Sequence, residues 1–239
     1  MLTKLNNKDR LIVALDVPTV AEAKKLVELL NDEVTFYKIG LELLMSGEYF
    51  QLISWLKNKN KKVFCDLKLY DISQTVGKAI KNLSQYDVDF VTIHAASRDI
   101  MLRATENKGS MKVLAVTVLT NLDNNDLLEM GFDGNLTVEK LVTKKAELAV
   151  KSGIDGVVAS AIEAQNLRQN LGDNFDIVTP GIRLKNVADD DQKRICDVKT
   201  AIQHGSSYLV VGRPITAEKS PLTAAREFQN LINLSSLAT

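Results

Sequence analysis

The chain reads as a closed (β/α)8 barrel, eight parallel strands each followed by a helix. Three observations carry that expectation. Short apolar runs alternate with helical patterns from Leu11 to Asn233, as parallel βαβ units buried on both faces do. Eight such units fit within 239 residues, the size of such barrels. No linker, low-complexity tract or compositional shift interrupts them, so residues 1–239 are expected to form one domain. An open doubly wound sheet is the alternative, but no G-x-G-x-x-G follows the first strand to support it.

The elements follow in order. Leu11–Leu15 is an apolar run ending on Asp16, with Pro18 just beyond. Ala21, Ala23, Leu26, Val27 and Leu30 then recur at helical spacing and predict a helix over Val20–Leu30. The second strand is Thr35–Ile39, ending Lys38-Ile39-Gly40, and its helix covers Tyr49–Lys57. Lys62–Asp66 and Ile72–Gln85 form the third unit; Phe90–Ala95 and Met101–Glu106 form the fourth. Lys112–Val118 runs into Leu119-Thr120 before a short helix at Asn124–Met130 and a long one at Thr137–Lys151. Gly156–Ser160 precedes a helix over Ala161–Leu171. The seventh strand, Asp176–Thr179, continues into Pro180-Gly181-Ile182-Arg183 and a polar loop, Lys185–Lys193, before a helix near Val198–His204. Tyr208–Val211 is the eighth strand, ending Gly212-Arg213-Pro214, and Pro221–Asn233 closes the chain as a helix.

Composition narrows the function. Thirty basic residues balance thirty acidic ones, leaving no basic footprint for nucleic acid and no polybasic membrane patch. No apolar run reaches a membrane-spanning length, and the polar segment Met1–Arg10 is not a signal peptide, so a cytoplasmic protein is expected. Cys65 and Cys196 lack metal-ligand spacing and make no disulfide framework; Cys65 is expected to be a buried, inert thiol. His94 and His204 share no ligand spacing either, so no metal site is expected.

In a barrel of this kind the active site forms at the C-terminal strand ends. Here those ends carry Asp16, Lys38, Asp66 with Lys68, His94, Thr120, Arg183 and Arg213. Any one of them could be a solvated or structural group, but so many polar groups at strand ends are poorly explained by solvation. Alternation along the third strand puts Asp66 and Lys68 on one face, with Asp71 past the strand end. Asp71 could serve instead as a helix cap, since Gln74 stands three residues later. Gly212-Arg213 follows the eighth strand, where these barrels commonly bind phosphate. A glycine admits close backbone approach, and an arginine pairs with a phosphate bidentately. The loop carrying Gln192 is long enough to act as a lid over such an anion.

Taken together, Ala14-Leu-Asp16-Val-Pro18, Tyr37-Lys38-Ile-Gly40 and Asp66-x-Lys68-x-x-Asp71-Ile72 resemble the orotidine 5′-monophosphate decarboxylase family of the prokaryotic type. Thr120, Thr179-Pro-Gly-Ile-Arg183, Gln192 and Val211-Gly-Arg-Pro-Ile215 extend the resemblance over essentially the whole chain. The resemblance implies conversion of orotidine 5′-phosphate to uridine 5′-phosphate and carbon dioxide, without a cofactor, in a barrel that forms homodimers. It makes Lys68 the proton donor to C6 within a network of Lys38, Asp66, Lys68 and Asp71, with Asp71 entering the partner subunit's site. Asp16 and Lys38 would hold the ribose, with Thr75 near it from the other chain and Ile72 in the substrate-binding set. Gln192, Gly212 and Arg213 would bind phosphate, Arg183 would share that pocket, and Thr120 would lie near the base.

The chain departs from the family pattern at Ser73-Gln74 and at Ser97-Arg98, neither a charged catalytic position. The related magnesium-dependent keto-gulonate-phosphate decarboxylases and hexulose-phosphate synthases share D-x-K-x-x-D; the Thr120, Pro-Gly-Ile-Arg183 and Gln192 set argues against them. A phosphate-binding barrel without catalysis is the non-enzymatic alternative, and the intact Asp66, Lys68 and Asp71 set speaks against it.

Overall fold

In the computed structural model, which describes residues 5–184 and 194–237, eight parallel strands close into a barrel. They are β1 (Leu11–Ala14), β2 (Phe36–Gly40), β3 (Lys62–Leu69), β4 (Phe90–His94), β5 (Lys112–Val116), β6 (Gly156–Val158), β7 (Asp176–Thr179) and β10 (Tyr208–Val211). β1 closes the ring between β10 and β2, pairing Val13 with Val211 and with Tyr37. Two further strands, β8 (Ile182–Arg183) and β9 (Cys196–Asp197), make a separate two-stranded parallel sheet beside the mouth.

The helices are α1 (Val20–Leu30), α2 (Leu41–Leu44), α3 (Tyr49–Asn58), α4 (Ser73–Leu83), α5 (Arg98–Asn107) and α6 (Asn124–Glu129). After them come α7 (Val138–Lys151), α8 (Ala161–Leu171), α9 (Val198–Gln203), α10 (Arg213–Thr216) and α11 (Pro221–Ser236). Side-chain caps start several of them. Thr19 accepts from the Glu22 N–H at α1, and Asp197 accepts from the Thr200 N–H at α9. Among the described residues no helix is long and apolar enough to cross a membrane.

Strand alternation divides the core in two. Outward residues such as Val13, Tyr37, Ile39, Val63 and Cys65 pack against the helices. Inward residues, including Ile12, Phe36, Phe64, Phe90, Leu114, Val178, Tyr208 and Val210, form a second cluster. Phe36, Phe90 and Tyr208 meet edge to face with centroids 5.0 Å (Phe36–Phe90 and Phe90–Tyr208) and 6.1 Å apart, sealing the interior below the mouth. Gly156 is required here, because a Cβ would lie 2.5 Å from the Asp176 carbonyl oxygen. The aromatic layer sets the site's depth. Two residues further along β2, β3 and β4, on the same inward face, stand Lys38, Asp66 and Thr92.

Most element limits match the sequence expectation, and the differences cluster near the mouth. β3 runs to Leu69 rather than Asp66, and its register against β4 shifts between Cys65 and Leu69. The capping-box alternative for Asp71 does not form: Ile72 precedes the first turn of α4, and the Asp71 carboxylate accepts from the Ile72 N–H at 2.6 Å. The two-residue strands β8 and β9 and the single-turn helices α2 and α10 are additional. The loop Lys185–Lys193, including Gln192, lies outside the described residues.

Candidate active site

The C-terminal mouth of the barrel opens into a cavity of about 600 Å³. Asp16, Lys38, Asp66, Lys68, Thr120, Arg183, Gly212 and Arg213, all singled out in the sequence, line it. Its wall from β5 around to β10 is apolar, built from Val116, Val118, Val158, Val178 and Val210. The cavity thus has a charged side at β1–β3, an apolar wall, and two arginines, Arg183 in β8 and Arg213 at the start of α10. A volume of this size and composition suits a small ligand with both ionic and flat apolar parts.

The charged side is an alternating row. Lys38 Nζ donates to Asp16 Oδ1 at 2.8 Å and lies 3.5 Å from Asp66 Oδ2. Lys68 Nζ donates to the same Asp66 Oδ2 at 2.8 Å. Asp66 Oδ1 accepts from Thr92 Oγ1 at 2.9 Å. Lys38 is nearly buried at 8% exposure, whereas the Asp16 side chain at the row's outer end is 57% exposed. Burial works against the Lys38 ammonium, yet Asp66 and Asp16 together hold its pKa above the ordinary lysine value. Burial likewise favours neutral Asp66, but Lys38, Lys68 and the Thr92 hydroxyl hold its pKa below the usual carboxylate value. Both groups are therefore kept charged in a poorly solvated place.

Lys68 reaches this row by a different route from simple alternation. Its φ is +48°, in the left-handed region that side chains with a Cβ rarely adopt, and the β3 register breaks around it. Its N–H is taken by Thr92 Oγ1 at 2.9 Å. The expected juxtaposition with Asp66 holds, but a strained backbone and a neighbouring strand create it.

Three expected residues lie elsewhere in the single chain. Asp71, Ile72 and Thr75 lie at and just beyond the β3–α4 turn and do not line this cavity; Ile72 is 71% exposed. His94, also outside the cavity lining, packs beside Tyr70 with ring centroids 5.6 Å apart. Burial, then Lys145 and Lys68, lowers its pKa. Cys65 is fully buried on the opposite face of β3, and burial pushes its thiol up to about 12, so it is an inert core group as expected.

Sequence reading missed three polar contributors. Thr92 joins Asp66 to the Lys68 backbone; the signal was available, because Phe90-x-Thr92 repeats the phasing of Phe36-x-Lys38 and Phe64-x-Asp66. Arg194 pairs with buried Glu163 and donates to the carbonyls of Val118, Leu119 and Thr120, fixing the segment that brings Thr120 to the cavity. Glu163 in turn accepts from the Ser160 N–H at the start of α8. No local pattern announces a pair 31 residues apart.

Its relatives make this barrel an enzyme, a carboxy-lyase. The chain belongs to the orotidine 5′-phosphate decarboxylase / HUMPS family, whose model matches residues 9–228. It is 51% identical over 222 residues to the orotidine 5′-phosphate decarboxylase of Methylococcus capsulatus, covering 92% of this chain and 90% of that one. It is 46% identical over 229 residues to the corresponding enzyme of Stenotrophomonas maltophilia, covering 95% and 94% of the two chains. The crystal structure of orotidine 5′-phosphate decarboxylase from Lactobacillus acidophilus superposes with a TM-score of 0.83 at 34% identity. That match covers 94% of this chain and 99% of the other.

Proposed function

We propose that this enzyme converts orotidine 5′-phosphate to uridine 5′-phosphate and carbon dioxide without a metal or organic cofactor. The observation that carries the reading is the row Asp16, Lys38, Asp66 and Lys68 lining one cavity together with two arginines. Loss of carbon dioxide from C6 leaves an electron pair in the plane of the pyrimidine, where the ring cannot delocalise it. An ammonium held at C6 stabilises that charge and then supplies the proton. At about 4 Å and an effective dielectric near 20, such a pair interacts by about 4 kcal/mol. In this reading Lys68 is that ammonium, and Asp66 both orients it and faces the departing carboxylate.

Arg183, Arg213 and Gly212 take the phosphate, together with Gln192; Asp16 and Lys38 take the ribose. The apolar wall with Thr120 receives the base. Asp71, with Ile72 and Thr75, completes the site of a partner subunit in a homodimer. Support for that last step is geometric: all three lie just past β3 and outside their own cavity, while Tyr70 and Ile72 expose apolar surface beside Asp71.

The test is the absorbance change of orotidine 5′-phosphate on adding purified protein with a chelator present. Turnover that survives the chelator is the expected result. No turnover refutes the substrate, and turnover abolished by the chelator and restored by magnesium refutes the cofactor-free mechanism.

A further inference from the structure

We infer that Thr92 is a positioning residue of this site: its hydroxyl sets the orientation of Asp66 and Lys68 toward the substrate. The inference rests on the decarboxylation reading above and deepens it. Thr92 is fully buried at the centre of β4 and does not line the cavity, so it acts through the two residues it touches.

The chemistry of its partners dictates how the hydroxyl is used. An ionised carboxylate only accepts, and a backbone N–H only donates. The single Thr92 proton therefore goes to Asp66 Oδ1, and the oxygen lone pair takes the Lys68 N–H, each at 2.9 Å. One atom thus links the side chain of Asp66 to the backbone of Lys68. Asp66 Oδ2 is already engaged by Lys68 at 2.8 Å and faces Lys38 at 3.5 Å. With Oδ1 held by Thr92, the carboxylate has no freedom to turn about its own axis.

Lys68 needs the same support. A residue with a Cβ persists at positive φ only where its surroundings over-determine it. At Lys68 the surroundings are a ladder that shifts register between Cys65 and Leu69 and a hydroxyl that accepts its N–H. Without that hydroxyl, the backbone can relax and carry the ammonium away from its line toward the cavity.

The experiment compares Thr92→Val, which keeps the branched shape and loses the hydroxyl, with Thr92→Ser, which keeps the hydroxyl and loses a methyl group. Both are made in the full-length enzyme, checked by circular dichroism and assayed for decarboxylation across pH. Misplacement of reacting groups by a fraction of an ångström lowers turnover, so Thr92→Val is expected to lose about 10- to 100-fold in kcat. Binding of the product uridine 5′-phosphate, which lacks the reacting carboxylate, should change by less than about threefold on the same argument. Thr92→Ser should keep kcat within about threefold of the unmutated enzyme while melting at a lower temperature, because its buried methyl leaves a gap.

The pH profile gives a readout that simple loss of packing would not move. Removing the donated proton raises the Asp66 pKa, so the acid limb of kcat/KM shifts upward in Thr92→Val and stays in place in Thr92→Ser. The other groups facing Asp66 are unchanged in both variants: Lys38 from β2 with Asp16 beyond it, Lys68, His94 at the end of β4, and Cys65 with Tyr49 behind β3. A folded Thr92→Val with unaltered kcat and pH profile overturns the inference, as does a Thr92→Ser as impaired as Thr92→Val. If Thr92→Val does not fold, Thr92→Ala carries the same expectations against Thr92→Ser. Absence of turnover in the unmutated chain refutes the proposed reaction instead.

Discussion

Replacing Lys68 by glycine and, separately, by alanine isolates the backbone term at the centre of the site. Both variants remove the ammonium and leave Asp66 with the same missing partner, so their difference in stability cancels the electrostatics. What remains is conformation at φ +48°. A left-handed residue with a Cβ costs about 1–2 kcal/mol, and glycine avoids that cost while losing about 0.5–1 kcal/mol through its greater freedom when unfolded. Lys68→Gly should therefore be more stable than Lys68→Ala by about 1 kcal/mol, a shift of about 2–4 °C for a domain of this size. Thermal unfolding at matched protein concentration measures it. Decarboxylation should collapse in both: about 4 kcal/mol of lost charge stabilisation with about 10²–10⁴ of lost proton transfer gives a deficit near a millionfold. An alanine variant as stable as the glycine variant would remove the strained backbone from the argument. A folded alanine variant with turnover within about a hundredfold of the parent would remove Lys68 from the chemistry.

The remaining predictions test the other parts of the cavity. Arg213→Ala should weaken binding of orotidine 5′-phosphate by about 1.5–3 kcal/mol, the scale of a hydrogen bond to a charged group, without further weakening the nucleoside orotidine; equal losses on both substrates would place Arg213 outside the phosphate site. Mixing refolded Lys68→Ala and Asp71→Ala subunits should restore roughly a quarter of normal activity, because one site of each mixed two-fold dimer carries neither defect; no recovery in confirmed heterodimers sinks the shared site. Stability should also follow the charge row. The depressed Asp66 pKa contributes stability that is present above its unfolded value of 3.8 and lost as pH falls through the lower folded value. The raised Lys38 pKa contributes stability that is present below its unfolded value of 10.5 and lost as pH rises through the higher folded one. Unfolding midpoints measured across pH should show a shallower acid loss in Asp66→Asn than in the unmutated protein; identical slopes would refute the assignment.

What sequence could reveal depended on whether a residue's role followed from local phase. Strands alternating with helices were legible because burial on both faces leaves continuous apolar runs, and the charges at their ends stood out against those runs. Asp16, Lys38, Asp66 and Lys68 were found in that way, and they do line one cavity. Thr92 was not, because a threonine inside Phe90-Val-Thr-Ile-His94 also suits a strand for its β-branched shape alone. The left-handed turn at Lys68 was invisible for a related reason: alternation assumes an unbroken ladder, and the break arises from pairing with another strand. β8 and β9, two residues each, are too short to show a period. The valines of the cavity wall could not be told from ordinary core until the barrel closed. Arg194 and Glu163 meet only because the fold brings the start of α8 beside Arg194 and the segment that follows β5.

The position of the charge row also constrains how the proposed reaction gains its speed. Decarboxylations of this kind have very slow uncatalysed rates and need a barrier reduction of about 20 kcal/mol or more, several times what one ion pair near 4 kcal/mol supplies. The row cannot be strengthened simply by deeper burial, because desolvation already opposes both Lys38 and Asp66. Its advantage lies in being fixed before the substrate arrives: Asp66 is held at both oxygens and Lys38 from two sides. Charges held in place do not have to reorganise as C6 becomes negative, which water dipoles would have to do. The rest must come from contacts that do not react. Arg183 and Arg213 line the same cavity as the row without belonging to it, so phosphate binding there can hold the base against Lys68 and offset the cost of bringing the substrate carboxylate toward Asp66. On this reasoning the nucleoside should lose far more in kcat/KM than phosphate affinity alone predicts, and that excess measures how much of the catalysis the distant grip supplies.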